Sequence, residues 1–208
     1  MSSDWIPAEW PAPQGIVAGT TTRHSEAFAF PAEPQWLKQV HGTRVVRAGS
    51  PDFTGEPPEA DAIIADRPGD ICVVQTADCL PILLCSGDGR EIAAIHAGWR
   101  GLAAGVIEAT LAALTTDPAE LIAWIGPAIS QPAFEVGDEV RQVFIDSDAG
   151  AAAAFEPNAR GRWQADLYTL GRQSLARQGV AAVYGGGLCT FADADRFFSF
   201  RRDGETGR

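Results

Sequence analysis

The 208-residue sequence is short of positive charge: 16 Lys and Arg stand against 27 Asp and Glu, a formal net charge of -11. A phosphate-facing surface needs clustered cations, so the balance argues against non-specific nucleic-acid binding. It leaves room for a local cationic pocket that takes a small anionic substrate. No apolar run approaches the roughly 20 residues that span a bilayer, so no membrane partner is expected. From Met1 to Pro13 no basic stretch precedes an apolar one, and no secretory signal is expected either. The four cysteines (Cys72, Cys79, Cys85 and Cys189) lie among apolar residues, without the regular spacings of a disulfide framework. Reduced thiols in a cytoplasmic protein are the matching expectation. Repeats and convincing linkers are lacking too, so residues 1–208 are read as one domain.

What the chain does contain is ample material for a core: 46% of its residues are hydrophobic and six are Trp. Residues 1–35 are broken by Pro and read as a wrapping segment with one short strand near Gly15–Thr22. β-Branched runs bounded by Pro, Gly and Asp predict strands at Thr43–Ala48, Asp61–Ala65, Ile71–Thr76, Pro81–Cys85 and Glu91–His96. The unbroken apolar run Ile71–Val74 predicts a strand covered on both faces. After His96 the period changes: Leu102, Val106, Ile107, Leu111 and Leu114 predict one amphipathic helix over Trp99–Leu114. A strand at Leu121–Ile125 follows, then helices at Gly137–Ile145 and Asp166–Gln178, the second capped by Asp166. Strands at Ala181–Tyr184 and Phe197–Phe200 close the series, and the alanine-rich stretch 148–154 reads as a loop in preference to a helical extension. The order lacks steady βαβ alternation and predicts a mixed sheet with helices packed on it.

Only three histidines are present, and two of them share a context with a cysteine. His41, Cys79 and His96 each stand at the end of an element beside turn-forming residues, where side chains from separate strands converge on one rim. Two imidazoles and a thiolate suit zinc and leave a fourth tetrahedral position for water, as catalytic sites do. Such a metal turns bound water into a nucleophile near neutral pH. Copper accepts the same ligands. The separations of 38 and 17 residues (41 to 79 and 79 to 96) match no short metal motif. The alternative is a buried structural cysteine beside hydrogen-bonded histidines.

Several segments tip the balance. Lys38-Gln39-Val40-His41-Gly42, Ala77-Asp78-Cys79-Leu80-Pro81 and His96-Ala97-Gly98-Trp99-Arg100-Gly101 resemble, in order, the signatures of the YfiH-like laccase-domain family. Gly126-Pro127-Ala128-Ile129 and the run from Phe197 to Gly204 with Thr206-Gly207-Arg208 fit as well. The resemblance implies an α+β fold, a three-layer α/β/α sandwich with a mixed sheet, and a metal on His41, Cys79 and His96. It also implies that the Arg of Thr21-Thr22-Arg23 reaches the active site. Family members are described as purine nucleoside phosphorylases that also deaminate adenosine and cleave methylthioadenosine, and were once called polyphenol oxidases. A bacterial branch is linked to editing of peptidoglycan precursors. Two departures stand out: only His24 to Lys38 separate the Thr-Thr-Arg and Gln-Val-His-Gly blocks, and the family pattern continues past Thr-Gly-Arg.

The functional expectation is therefore a zinc-dependent purine nucleoside phosphorylase with adenosine deaminase and methylthioadenosine phosphorylase activity. A precursor-editing amide hydrolase and a copper polyphenol oxidase are the alternatives; three histidines are few for several coppers. Arg23 is placed on phosphate or on the leaving group's charge, against a surface ion pair. Trp99 offers a stacking face and Arg100 an anion contact at a helix start, against a core Trp and a solvated Arg. Cys79 is read as a metal ligand over a nucleophile activated by His96. Asp78 is a general acid/base, a partner to a ligating histidine, or an exposed turn residue. His24 is read as a surface residue, Gln39 as structural, and Gly185-Gly186-Gly187 as a turn.

Overall fold

A computed structural model describes residues 5–25 and 29–204; the Thr206-Gly207-Arg208 motif lies outside them. The strands are β1 (Trp5–Pro7), β2 (Gly19–Thr21), β3 (Val45–Arg47), β4 (Ala62–Ala65), β5 (Leu80–Ser86), β6 (Ile92–Ala97), β7 (Leu121–Ile125), β8 (Glu135–Val136), β9 (Phe155–Pro157), β10 (Trp163–Ala165) and β11 (Ala182–Gly185). The α-helices are α1 (Trp99–Ala104), α2 (Val106–Ala113), α3 (Asp138–Ser147), α4 (Leu167–Arg177) and α5 (Phe200–Asp203). Six strands form one mixed sheet in the order β11-β7-β5-β6-β4-β3. The two outer pairs, β11–β7 and β3–β4, are parallel, and the pairs between them antiparallel.

Side-chain alternation sorts this sheet into two faces. Ala62, Ile64, Ile82, Leu84, Ile95, Ala123 and Ile125 belong to the large core shared with Leu102, Val106, Ile107 and Leu111 of α1 and α2, Val140 and Phe144 of α3, and Leu170 and Leu175 of α4. Ile63, Leu83 and Ala94 meet Leu37, Phe53, Cys72 and Val74 on the opposite face. That packing corrects the strand predicted at Ile71–Thr76. The segment carries no regular pairing, because Cys72 and Val74 cover the sheet instead of joining it. Its backbone is held by a side chain: Gln39 Nε2 donates to the Gln75 carbonyl at 2.7 Å, and the Gln75 N–H donates to Gln39 Oε1 at 2.8 Å.

Other expectations shift for equally local reasons. The helix predicted over Trp99–Leu114 breaks at Gly105, whose φ of 95° ends α1 and starts α2. Phe197–Phe200 is not a strand; Ser199 Oγ accepts from the Arg202 N–H and caps α5. Ala149–Ala154, read as a loop, is a 3-10 run capped by Asp148, with Ala151 and Ala154 buried. The early strand shrinks to Gly19–Thr21, paired with Trp5–Pro7.

The antiparallel register brings one end of the sheet together. β6 ends there; β4 and β5 begin there, with Leu80 opposite Ala97 and Ala62 opposite Ile95. Asp61, Cys79 and His96 are therefore neighbours across strand ends, and His41 precedes β3 on the same rim. At the other end Glu91, 5% exposed, accepts from the Thr115 and Thr116 N–H groups and from Thr116 Oγ1 at 2.6 Å. Burial pushes the Glu91 carboxyl up, but the Thr116 and Thr115 donors outweigh it and hold it below its ordinary value of 4.5. The bonds therefore stabilise the fold fully above that value and are lost as pH falls through the lower, folded one. Glu91→Gln should cost about 2 kcal/mol at neutral pH in urea unfolding. The gap to wild type should narrow on acidification below pH 4.5; a pH-independent gap would contradict this assignment.

Candidate metal centre

Three side chains from separate elements meet at the rim. One ligand atom each from His41, Cys79 and His96 lies within 4.8 Å of the other two. Cys79 Sγ is 3.7 Å from His41 Nε2, and the two imidazole centroids are 4.8 Å apart with rings inclined at 70°. Tetrahedral zinc with bonds of about 2.0–2.3 Å sets its ligand atoms about 3.5 Å apart. The Cys79–His41 separation already meets that spacing. His96 is 2% exposed, while His41 and Cys79 are half-buried, so the group opens on its His41–Cys79 side.

A fourth residue, absent from the sequence-based reading, binds the cluster together. Asp61 is fully buried. Its Oδ1 lies 2.8 Å from His96 Nδ1 and accepts from the His41 N–H at 2.9 Å; its Oδ2 accepts from the Gly42 and Val40 N–H groups at 2.7 and 3.2 Å. Burial pushes the Asp61 carboxyl up, yet the bonds from His96, Gly42 and Val40 prevail and leave it below its ordinary value. The available signal was an acid heading the otherwise apolar run Asp61–Ala65. Asp78, read as a general acid/base, a partner to a ligating histidine or an exposed turn residue, is instead buried against the C-terminal segment. It is 9% exposed, and its carboxylate accepts from Thr190 Oγ1, Ser199 Oγ and the Arg201 N–H at 2.6, 3.0 and 2.7 Å.

Among the described non-glycine residues, positive φ occurs at His41 (60°) and Asp78 (95°), one in the site and one next to Cys79. Left-handed backbone at such residues is held only where surroundings over-determine it. Here each position is tied down by a buried carboxylate. As for thiol activation, His41 Nε2 lies 3.7 Å from the Cys79 thiol, and His96 stands in the same group within 4.8 Å.

The remaining predicted residues lie in three places. Arg23 packs on the C-terminal segment: its Nη1 donates to the Ala194 carbonyl at 2.6 Å and its guanidinium lies 4.9 Å from the Phe198 ring centroid. His24 is exposed and bonds the Asp195 carbonyl at 2.6 Å. Trp99 packs against the core, and exposed Arg100 covers its ring at 4.6 Å. Gly185, Gly186 and Gly187 all have positive φ, but they are not a separate turn: Gly185 is the last residue of β11, paired with Ile125, and the other two follow it in irregular backbone.

Residues 13–208 match the family model described as multi-copper polyphenol oxidoreductase laccase. The chain belongs to this laccase family. Among its relatives is the Escherichia coli purine nucleoside phosphorylase YfiH, 42% identical over 240 aligned residues that cover 99% of this chain and 96% of that protein. A Pseudomonas aeruginosa purine nucleoside phosphorylase is 43% identical over 98% of this chain and 95% of its own. A Neisseria meningitidis protein of known crystal structure superposes with a TM-score of 0.92 at 41% identity, over 99% of this chain and 96% of that one. YlmD of Geobacillus stearothermophilus, at 24% identity and TM-score 0.80 over 96% of this chain and 91% of that one, shares the fold. The His-Ala-Gly-Trp-Arg-Gly block of this laccase-family chain has a steric basis. Gly98 has φ -64° and ψ 158°, a conformation open to any residue. A Cβ there would nonetheless lie 2.6 Å from His41 Cδ2 and 2.9 Å from Cys79 Sγ, and one on Gly101 would lie 2.9 Å from the Gly42 carbonyl.

Gly98→Ala should therefore push His41 and Cys79 apart with little loss of overall fold. Zinc affinity, measured by chelator competition, should fall at least about tenfold, or 1.4 kcal/mol, and an unchanged affinity would contradict the packing argument.

Proposed function

We propose that the protein is a zinc-dependent purine nucleoside phosphorylase that also deaminates adenosine and cleaves methylthioadenosine, working at His41, Cys79 and His96. The observation that carries this reading is the convergence of two imidazoles and a thiol on one point at a strand-end rim. It is supported by the names of two relatives that are over 40% identical across nearly the whole chain. The donor set favours zinc, and three histidines, with His24 engaged by Asp195, are too few for several coppers.

When bound, zinc supplies Lewis acidity to the oxygen nucleophile or to the leaving group. Cys79 gives up its proton on coordination, so its sulfur is a ligand and not a free nucleophile. Asp61 keeps a proton on His96 Nδ1 and so leaves Nε2 as the donor atom. Arg23 meets the phosphate, and exposed Arg100, backed by the Trp99 ring, contacts the nucleoside. In phosphorolysis a phosphate oxygen bonds to the anomeric carbon, the glycosidic bond breaks, and the purine leaves with a proton. In deamination, water replaces the exocyclic amine as ammonia.

Zinc-loaded protein with inosine and phosphate should yield hypoxanthine and ribose 1-phosphate, and with adenosine should release ammonia; absence of every product would sink the proposal. His96→Ala and Cys79→Ser should each lower kcat at least about a hundredfold, or roughly 2.7 kcal/mol of barrier. Elemental analysis should find one zinc per chain, and a copper content equal to or above zinc would contradict the metal assignment.

A further inference from the structure

The bonding of Asp61 has a consequence for both imidazoles. An ionised carboxylate only accepts, and it offers about four lone-pair sites. Three of those sites are taken by successive backbone N–H groups, from Val40, His41 and Gly42. The fourth faces His96 Nδ1 at 2.8 Å. Burial works against the charge on Asp61, the three fixed N–H donors offset it, and His96 Nδ1 completes the set as the donor of the fourth bond. The proton thus sits on Nδ1, and the lone pair on Nε2 points away from Asp61.

We propose that Asp61 is the positioning residue of the metal centre, and that it sets both imidazoles before a metal arrives. It sets His96 by fixing the tautomer. It sets His41 by closing the turn 40–42 around one carboxylate, as in backbone anion nests, and so sustains the left-handed φ of 60° at His41. Register makes both tasks possible at once. The His96 N–H donates to the Asp61 carbonyl at 2.8 Å, which places the carboxylate beside the ring from the next strand. The Asp61 N–H in turn donates to the Arg44 carbonyl at 3.0 Å, which fastens the far side of the His41 turn. This inference rests on His41, Cys79 and His96 being the metal ligands, but not on which substrate is turned over.

Two measurements test it. In metal-free wild type, nitrogen-15 NMR of the histidine rings at a pH where His96 is neutral should show its Nδ1–H form; a dominant Nε2–H form would overturn the proposal. Asp61→Asn turns an acceptor into an amide whose NH2 opposes the N–H groups of the turn. In the folded variant, zinc affinity by chelator competition should fall about 10–100-fold, and the absorption bands of the cobalt-substituted site should shift. Glu91→Gln, a buried carboxylate lost at the other end of the sheet, should leave zinc affinity unchanged despite its cost in stability. Wild-type zinc affinity in folded Asp61→Asn, or an equal loss in Glu91→Gln, would reduce Asp61 to a structural residue. If Asp61→Asn does not fold, the tautomer in wild type decides alone. Failure of nucleoside turnover with both results intact would remove the proposed substrate and leave the role of Asp61 standing.

Discussion

A carboxylate with no solvent contact is among the most expensive groups a small protein can bury, and Asp61 is one. Its cost is offset by four donors within 3.2 Å, three from one turn of backbone and one from an imidazole. Those donors cannot be relaxed singly, because removing one partner of a buried charge typically costs 3–5 kcal/mol. The turn 40–42, the start of β4 and the end of β6 are consequently held as a unit. The rim of the sheet inherits its geometry from that unit.

Asp78 plays the corresponding part on the other side of Cys79. Its side chain gathers Thr190, Ser199 and the Arg201 amide, and its carbonyl accepts from the Ile129 N–H at 3.0 Å. The segment from Cys189 to α5 therefore packs behind the cysteine turn, and Arg23 and His24 pack on that segment in turn. Residues far apart in sequence hold one backbone distortion in place. The glycines complete the arrangement by absence: α1 can press against the His41 turn only because Gly98 and Gly101 add no Cβ to the contact. The site is thus built from close backbone approach and buried charge, not from a deep apolar pocket.

Much of this was legible in the residues. The strands at Pro81–Cys85, Glu91–His96 and Leu121–Ile125 and the helix at Asp166–Gln178 match the observed elements to within two residues, because each combines a continuous apolar pattern with a clear stop. His41, Cys79 and His96 stood out by rarity, by position at strand ends and by the blocks around them. The failures came where apolarity had another cause. Ile71–Thr76 is apolar because it covers a sheet, and Phe197–Phe200 because Phe197 is buried beside a capped turn. Gly105 ended a helix whose hydrophobic period runs straight through it.

The sequence by itself determined the chemistry available at the rim: two imidazoles, one thiol, glycines where contact is tight, and too few histidines for a multinuclear copper centre. Those are properties of residue type and neighbourhood, and they survive translation into any fold that brings strand ends together. Only the tertiary structure decided which carboxylate serves the site. Asp78 adjoins Cys79 in sequence, yet it faces the C-terminal segment, whereas Asp61 meets His96 from 35 residues away. The physical reason is register: pairing of β4 with β6 sets Asp61 opposite His96, and no local pattern records which residues two strands will place side by side.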